Sequence, residues 1–168
     1  KMLSIMQGLM QFKLENFFFF TVALIVVLLD QISKFFVLKN SLILMNNVEI
    51  FENLNFVFVL NKGISFGFLS SLNISFYLGI ISMVISVFIT IWIIRTSSRV
   101  EKISLSFILG GAIGNGFDRI NKEYVLDFID FHAFGFHWPA FNLADSFITV
   151  GAIIFIFRSV KLNLKQKS

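Results

Sequence analysis

The sequence predicts an all-α membrane bundle of four transmembrane helices, with a small extracytoplasmic β segment between the first helix and the second. Three observations carry that reading. Of the 168 residues, 57% are hydrophobic and only 14% charged, with a mean hydropathy of +0.84. Soluble globular chains carry about 25% charged residues, and a water-facing domain cannot cover itself with so few. The apolar residues gather in four blocks, each near the roughly 20 residues that cross a hydrocarbon core. The basic residues behind the net charge of +4 are sorted by segment, which speaks for membrane topology and against a nucleic-acid partner.

The elements follow in order. Lys1 to about Gly8 is assigned no function. The first span covers about 16–38 and ends in Asp30-Gln31-Ile32-Ser33-Lys34, without the small-x-small site of a cleavable signal peptide. The outer segment at about 46–70 alternates loosely and is rich in Phe and Val, as half-buried strands are, with Asn61-Lys62-Gly63 read as a turn. The second span, about 72–94, lies within an uncharged stretch from Gly63 to Ile94. The third, about 103–119, is short, and the fourth, about 139–157, has Asp145 as its only charge. Ile120 to Trp138 is a second outer segment. With no repeat or linker, residues 1–168 read as a single polytopic membrane domain.

Orientation comes from the charges. Lys1, Lys13, Arg95, Arg99, Lys102, Arg158, Lys161, Lys165 and Lys167 fall on one side against Glu15 and Glu101 alone. The other side mixes Lys34, Lys39, Lys62, Arg119 and Lys122 with Glu49, Glu52, Glu123, Asp127 and Asp130. The positive-inside rule then puts both termini in the cytoplasm. The absence of Cys excludes disulfides, thiolate zinc sites, Cys nucleophiles and Cys-linked anchors. With only two His, a conventional zinc site is not expected. His132 and His137 read as interfacial loop residues beside Trp138.

Ionisable groups near spans are costly and mark function. Four alternating spans bring Asp30 and Lys34, Asn115, Asp118 and Arg119, and Asn142 and Asp145 to one face, with Asn61 and Asp127 in the loops there. Asp30 and Lys34 are i, i+4 and can pair. Asn142, Asp145, Ser146 and Thr149 form one helical stripe expected to face the bundle interior. Gly110 and Gly114 have small-xxx-small spacing for close helix contact. Two carboxylates sharing a proton can activate water against a peptide carbonyl, one as base and one as acid. Asp127 and Asp145 are the best such pair. Asp118 is a rival whose neighbour Arg119 suits it to an ion pair, Asp130 is a weaker one, and spacing does not rank them. Gly63-Ile64-Ser65-Phe66-Gly67 matches G-x-S-x-G, but the chain lacks the βαβ setting that gives the motif meaning. A small ion-coupled transporter or channel subunit with Asp145 as a relay is the non-catalytic alternative.

At these residues the chain resembles the lipoprotein signal peptidases (signal peptidase II), bacterial intramembrane aspartyl proteases. The matching motifs are Asp30-Gln31-x-x-Lys34, Asn61-x-Gly63-x-x-Phe66, Gly110-Gly111-Ala112-x-Gly114-Asn115-x-x-Asp118-Arg119, Val125-x-Asp127-Phe128, and Phe141-Asn142-x-Ala144-Asp145-x-x-Ile148. The resemblance implies Asp127 and Asp145 as the catalytic dyad. It also implies Asn61, Gly63, Asn115, Arg119 and Asn142 as substrate-binding residues, with Asp30, Lys34 and Asp118 supporting them. The implied substrate is a diacylglyceryl prolipoprotein embedded in membrane lipid and cut before its lipidated Cys at the extracytoplasmic face of the bacterial inner membrane. No metal and no cofactor are implied. One departure is visible, Ile64-Ser65 where many members have two Ala.

Overall fold

A computed structural model of the chain describes residues 2–63 and 74–166, with side chains described at 15–63, 74–161 and 164. The elements are α1 (Met2–Lys39), α2 (Ser41–Leu44), β1 (Val48–Phe51), β2 (Leu54–Asn61), α3 (Ser75–Arg95), α4 (Arg99–Lys122), β3 (Val125–Ala133), β4 (Phe136–His137) and α5 (Leu143–Gln166).

Helix α4 is the axis, packed against α1, α3 and α5. Phe19 and Ala23 of α1, Ile89 and Ile93 of α3, and Leu105 and Leu109 of α4 form one apolar cluster. Further along, Lys34 of α1 meets Asp118 of α4, so α1 and α4 run in the same direction. Their approach depends on missing side chains. A Cβ on Gly110 would lie 2.6 Å from the Ala23 carbonyl oxygen, and one on Gly114 would lie 2.6 Å from Asp30 Oδ2. The small-xxx-small pair therefore seats α1, as expected. Gly111, one position round, seats α5, where a Cβ would come within 2.5 Å of the Ala144 carbonyl oxygen.

Within α1, α3 and α5 lie three stretches long and apolar enough to cross a membrane: Glu15–Lys39, Ser75–Arg95 and Leu143–Lys161. Their outer faces expose large apolar residues such as Phe17, Phe35, Phe88 and Phe157. Helix α4 is not among them. It carries buried Lys102, Ser104, Ser106, Asn115 and Asp118, screened by its three neighbours. Its start is set by Ser98, whose hydroxyl accepts from Glu101 N at 3.4 Å, an N-cap for one of the orphan donors of the first turn.

The β segment is larger than expected. β1 and β2 do form between α1 and α3, but the second outer segment joins them, giving a four-stranded antiparallel sheet in the order β1-β2-β3-β4. Strand β3 is covered on both faces, which hides its alternation in the sequence. Leu126 and Phe128 pack with Val37 and Leu44, while Val125 and Asp127 turn to a cavity. The fourth block also begins later than expected. Pro139–Ala140 is outside any helix or strand and Phe141 bridges to Ile129, so α5 starts at Leu143. The Ser65 and Phe66 positions lie outside the described residues.

Candidate active site

The expected convergence occurs, and it is organised around a buried cation. Lys34 donates from Nζ to Asp30 Oδ2 at 2.7 Å, Asp118 Oδ2 at 2.7 Å and Asn115 Oδ1 at 2.8 Å. Those are the three donors an ammonium has, so none is left unsatisfied. Asp118 takes a second cation, Lys122 Nζ at 2.9 Å, and not the adjacent Arg119. That corrects the expected pairing. The i, i+4 step from Asp118 to Lys122 was the signal that could have found it.

The ammonium fixes the amide above it. Because Lys34 only donates, Asn115 must turn Oδ1 towards it, and its Nδ2 is then free to donate to Asp145 Oδ1 at 2.8 Å. Asn142 repeats the device. Its Nδ2 donates to Asn115 Oδ1 at 3.2 Å and to Asp127 Oδ1 at 2.6 Å. Its Oδ1 accepts from Asp145 N at 3.0 Å, while Asp145 Oδ2 accepts from Asn142 N at 3.3 Å. That reciprocal pair is a capping box at the start of α5, with Asp in the place of the usual Glu or Gln. Asp30 Oδ1 accepts Ala144 N at 3.1 Å, so two of the orphan N–H groups of this helix end are satisfied by site residues.

Asp127 is reached from the sheet. Asn61, at the end of β2, donates from Nδ2 to Asp127 Oδ2 at 2.9 Å and accepts Gly63 N on Oδ1 at 3.0 Å. That Asx turn is the expected turn at Asn61-Lys62-Gly63. Burial first, and then the charge of Asp145, push the Asp127 carboxyl up from 3.8 to about 6, against the pull of the Asn61 and Asn142 amides and of Lys34.

Asp127, Asp145, Arg119 and Asn61 line one open cavity of about 1430 Å³, walled also by Pro139 and Phe141. Arg119 donates from Nη2 to the Gly63 carbonyl at 3.4 Å, and its Nε is buried with no partner among the described residues. Of the stripe Asn142, Asp145, Ser146 and Thr149, Asn142 is buried as expected, while Asp145, Ser146 and Thr149 line this cavity. Ser146 and Thr149 return their hydroxyls to the carbonyls of Asn142 and Asp145. Gln31 was not singled out as a site residue. It donates to Asp30 Oδ2 at 3.1 Å and, more loosely, to Asp118 Oδ2 and the Gly114 carbonyl at 3.4 Å. Asp130 stands apart from this network, paired with His137.

Apolar helices around a polar cavity, with two carboxylates held apart from the buried ion pair, define a multi-pass membrane enzyme of the acid–base kind. Comparison with known proteins narrows the class. The family model for signal peptidase (SPase) II matches residues 22–161. A lipoprotein signal peptidase of Alteromonas mediterranea is 37% identical over 153 residues, 88% of this chain and 83% of that protein. One from Anaplasma phagocytophilum is 43% identical over 145 residues, 86% of this chain and 90% of that protein. Among solved structures, a bacterial membrane enzyme superposes with a TM-score of 0.74 at 30% identity, covering 84% of this chain and 86% of that one. The chain belongs to the signal peptidase II family and is an aspartic endopeptidase. The transporter alternative is not favoured.

Proposed function

We propose that Asp127 and Asp145 are the catalytic dyad of a peptidase that removes the signal peptide from diacylglyceryl-modified prolipoproteins, cutting immediately before the lipid-bearing Cys. The observation that carries the assignment is the shared amide: Asn142 Nδ2 donates to Asp127, while its Oδ1 and N bind Asp145, and both carboxylates open onto one cavity. Prolipoprotein processing is what the relatives are named for.

In this mechanism the dyad shares one proton and Asp145 serves as the base, its carboxylate held by Asn115 and the first turn of α5, where the helix dipole favours negative charge. Asp127 keeps the proton. Water between them gives a proton to Asp145 and attacks the scissile carbonyl, while Asp127 donates to the developing oxyanion. As the C–N bond breaks, the proton on Asp145 passes to the leaving amine and the gem-diol returns a proton to Asp127, which frees a carboxylic acid and restores the dyad. Arg119, with Nε free to donate, and Asn61 hold the substrate backbone beside Gly63. Asn115 and Asn142 position the dyad, and Asp30, Lys34 and Asp118 anchor it.

In this reading residues 1–168 are one membrane domain, and α1, α3, α4 and α5 are its four spans. Both termini lie in the cytoplasm, and the site opens at the extracytoplasmic face of the bacterial inner membrane. The excess of Lys and Arg at the opposite end supports that orientation. Acyl chains of the substrate stay in lipid while the peptide bond enters the cavity.

Asp127→Asn and Asp145→Asn, purified and folded, should each cut a diacylglyceryl lipobox peptide at less than about a thousandth of the wild-type rate. Near-normal turnover in either variant rejects the dyad.

A further inference from the structure

The two histidines, expected to be interfacial loop residues, stand side by side on paired strands. The β3–β4 hairpin turns at Phe134 (φ 53°) and Gly135 (φ 79°), the two positive φ values that a two-residue type I′ turn requires. That turn sets the register Ala133↔Phe136 and His132↔His137. The imidazoles stack at 4.9 Å with 16° between their planes. Asp130, two residues before His132 on β3, comes to the same place, with its oxygens 2.9 and 3.0 Å from His137 Nδ1. Asn55 on β2 supports both, donating to Asp130 Oδ2 at 3.2 Å and lying 3.5 Å from His132 Nδ1.

We propose that Asp130, His132 and His137 form a site for a zinc-class divalent cation at the mouth of the cavity, on the hairpin that continues from Asp127. One ligand atom from each of the three lies within 4.8 Å of the others. Around a tetrahedral ion with bonds of about 2.0–2.2 Å, ligand atoms lie about 3.3–3.5 Å apart. The cluster therefore closes by rotation of the rings, which His137, at 57% exposure, is free to make. Two imidazoles and one carboxylate suit Zn²⁺, with Co²⁺ as a spectroscopic stand-in. They are too few oxygens for Ca²⁺ or Mg²⁺. Asp130 and His137 both line the cavity, so the fourth position of the ion opens towards it, and a bound ion ties β4 to β3. Asn55 supplies the outer partner that ligating groups use for orientation.

The sequence argues against a zinc site, because it has only two His and Asp130-x-His132-x4-His137 is not a helical or loop metal spacing. It becomes one only through the hairpin register. The composition makes the test clean: these are the only two histidines of the chain, which has no Cys. In tag-free protein in detergent, Zn²⁺ should bind at one ion per chain in a calorimetric titration. Co²⁺ should give the visible bands of a tetrahedral N/O site, and Zn²⁺ should raise Tm. His137→Gln, at an exposed position, should keep the fold, weaken binding at least about tenfold and abolish the Tm shift. Asp130→Asn should weaken binding too, while Glu52→Gln, off the cluster, leaves it unchanged. A wild-type dissociation constant weaker than about 100 μM, or equal binding in His137→Gln, overturns the proposal. None of these readouts depends on peptide cleavage.

Discussion

Asn61→Ala tests the electrostatics of the dyad, because it should move a pH limb and not merely lower a rate. Asn61 donates to Asp127 Oδ2 at 2.9 Å, one of two amide donors that hold this carboxyl down against burial and the charge of Asp145. A hydrogen bond to a charged acceptor contributes about 1.5–3 kcal/mol. The cavity is open, so water recovers part of that when the amide is removed. A remaining loss of about 1.4 kcal/mol destabilises the carboxylate and raises its pKa by about one unit. The sign matters. The active dyad carries one proton, so the alkaline limb of kcat/KM reports its loss from Asp127 of the free enzyme, near pH 6 in the wild type. In the variant Asp127 keeps its proton longer, and the limb should rise to about pH 7. The assay is a kcat/KM profile from pH 4 to 9 on a diacylglyceryl lipobox peptide in micelles. A higher KM from lost substrate contact is expected as well, but it lowers the whole profile, whereas the pKa change moves its limb. A limb that stays in place or moves to lower pH would refute the assignment of that proton to Asp127.

The same titration has a stability counterpart. Asp127 in the folded protein binds its proton more tightly than in the unfolded chain, so stability is lost as pH rises from about 4 to 6, by up to roughly 3 kcal/mol. Asp127→Asn does not titrate, so chemical unfolding should show its stability relative to wild type improving from pH 4 to pH 7; a gap that is flat with pH counts against this. Lys34→Met leaves Asp30 and Asp118 without their shared cation and should cost roughly 3–5 kcal/mol, read as a fall in Tm together with slower cleavage, since Asn115 loses the group that orients it. Gly114→Ala drives a methyl to 2.6 Å from Asp30 Oδ2 and should destabilise by roughly 1–3 kcal/mol. Gly116→Ala, whose Cβ would meet the Ser82 and Met83 side chains at 3.1 and 3.3 Å, should be milder, and the reverse order would contradict the packing of α1 on α4.

The convergence of polar groups was legible because it needs only alternating long helices: whatever ends α1 and α4 must meet whatever begins α5. The i, i+4 pair Asp30–Lys34 was legible for the same reason, since helical spacing is local. Three features were not. β3 is covered on both faces, so its apolar run Val125-Leu126 and Phe128-Ile129 shows no clean alternation and reads as loop. The start of α5 is set by a capping box whose polar members double as site residues, so Asn142 and Asp145 read as chemistry and not as a helix boundary. The Asp118–Lys122 pair is masked in the sequence by the adjacent Arg119, although neighbours in sequence point away from each other on a helix. Arg119 is thereby left for the cavity.

The low hydropathy of α4 then follows from its position. Asn115, Asp118 and Arg119 must come from one helix end to reach Lys34, Lys122 and the cavity together. Such an end is tolerable in a membrane only where lipid does not touch it. The chain meets that condition by surrounding α4 with α1, α3 and α5, and by using Gly110, Gly111 and Gly114 to bring two of those neighbours to backbone contact. The shielding allows α4 its serines and buried Lys102, and it takes α4 below the hydropathy of its neighbours. The helix without the hydropathy of a span is therefore the one that carries Asn115 to Asp145. A substitution making α4 more apolar, Ser104→Leu or Ser106→Leu, should for that reason destabilise the bundle, because both positions are fully buried and already filled. An outward change of the same kind, Ser159→Leu on exposed α5, should be neutral. Equal Tm losses for the inward and outward changes would remove the argument.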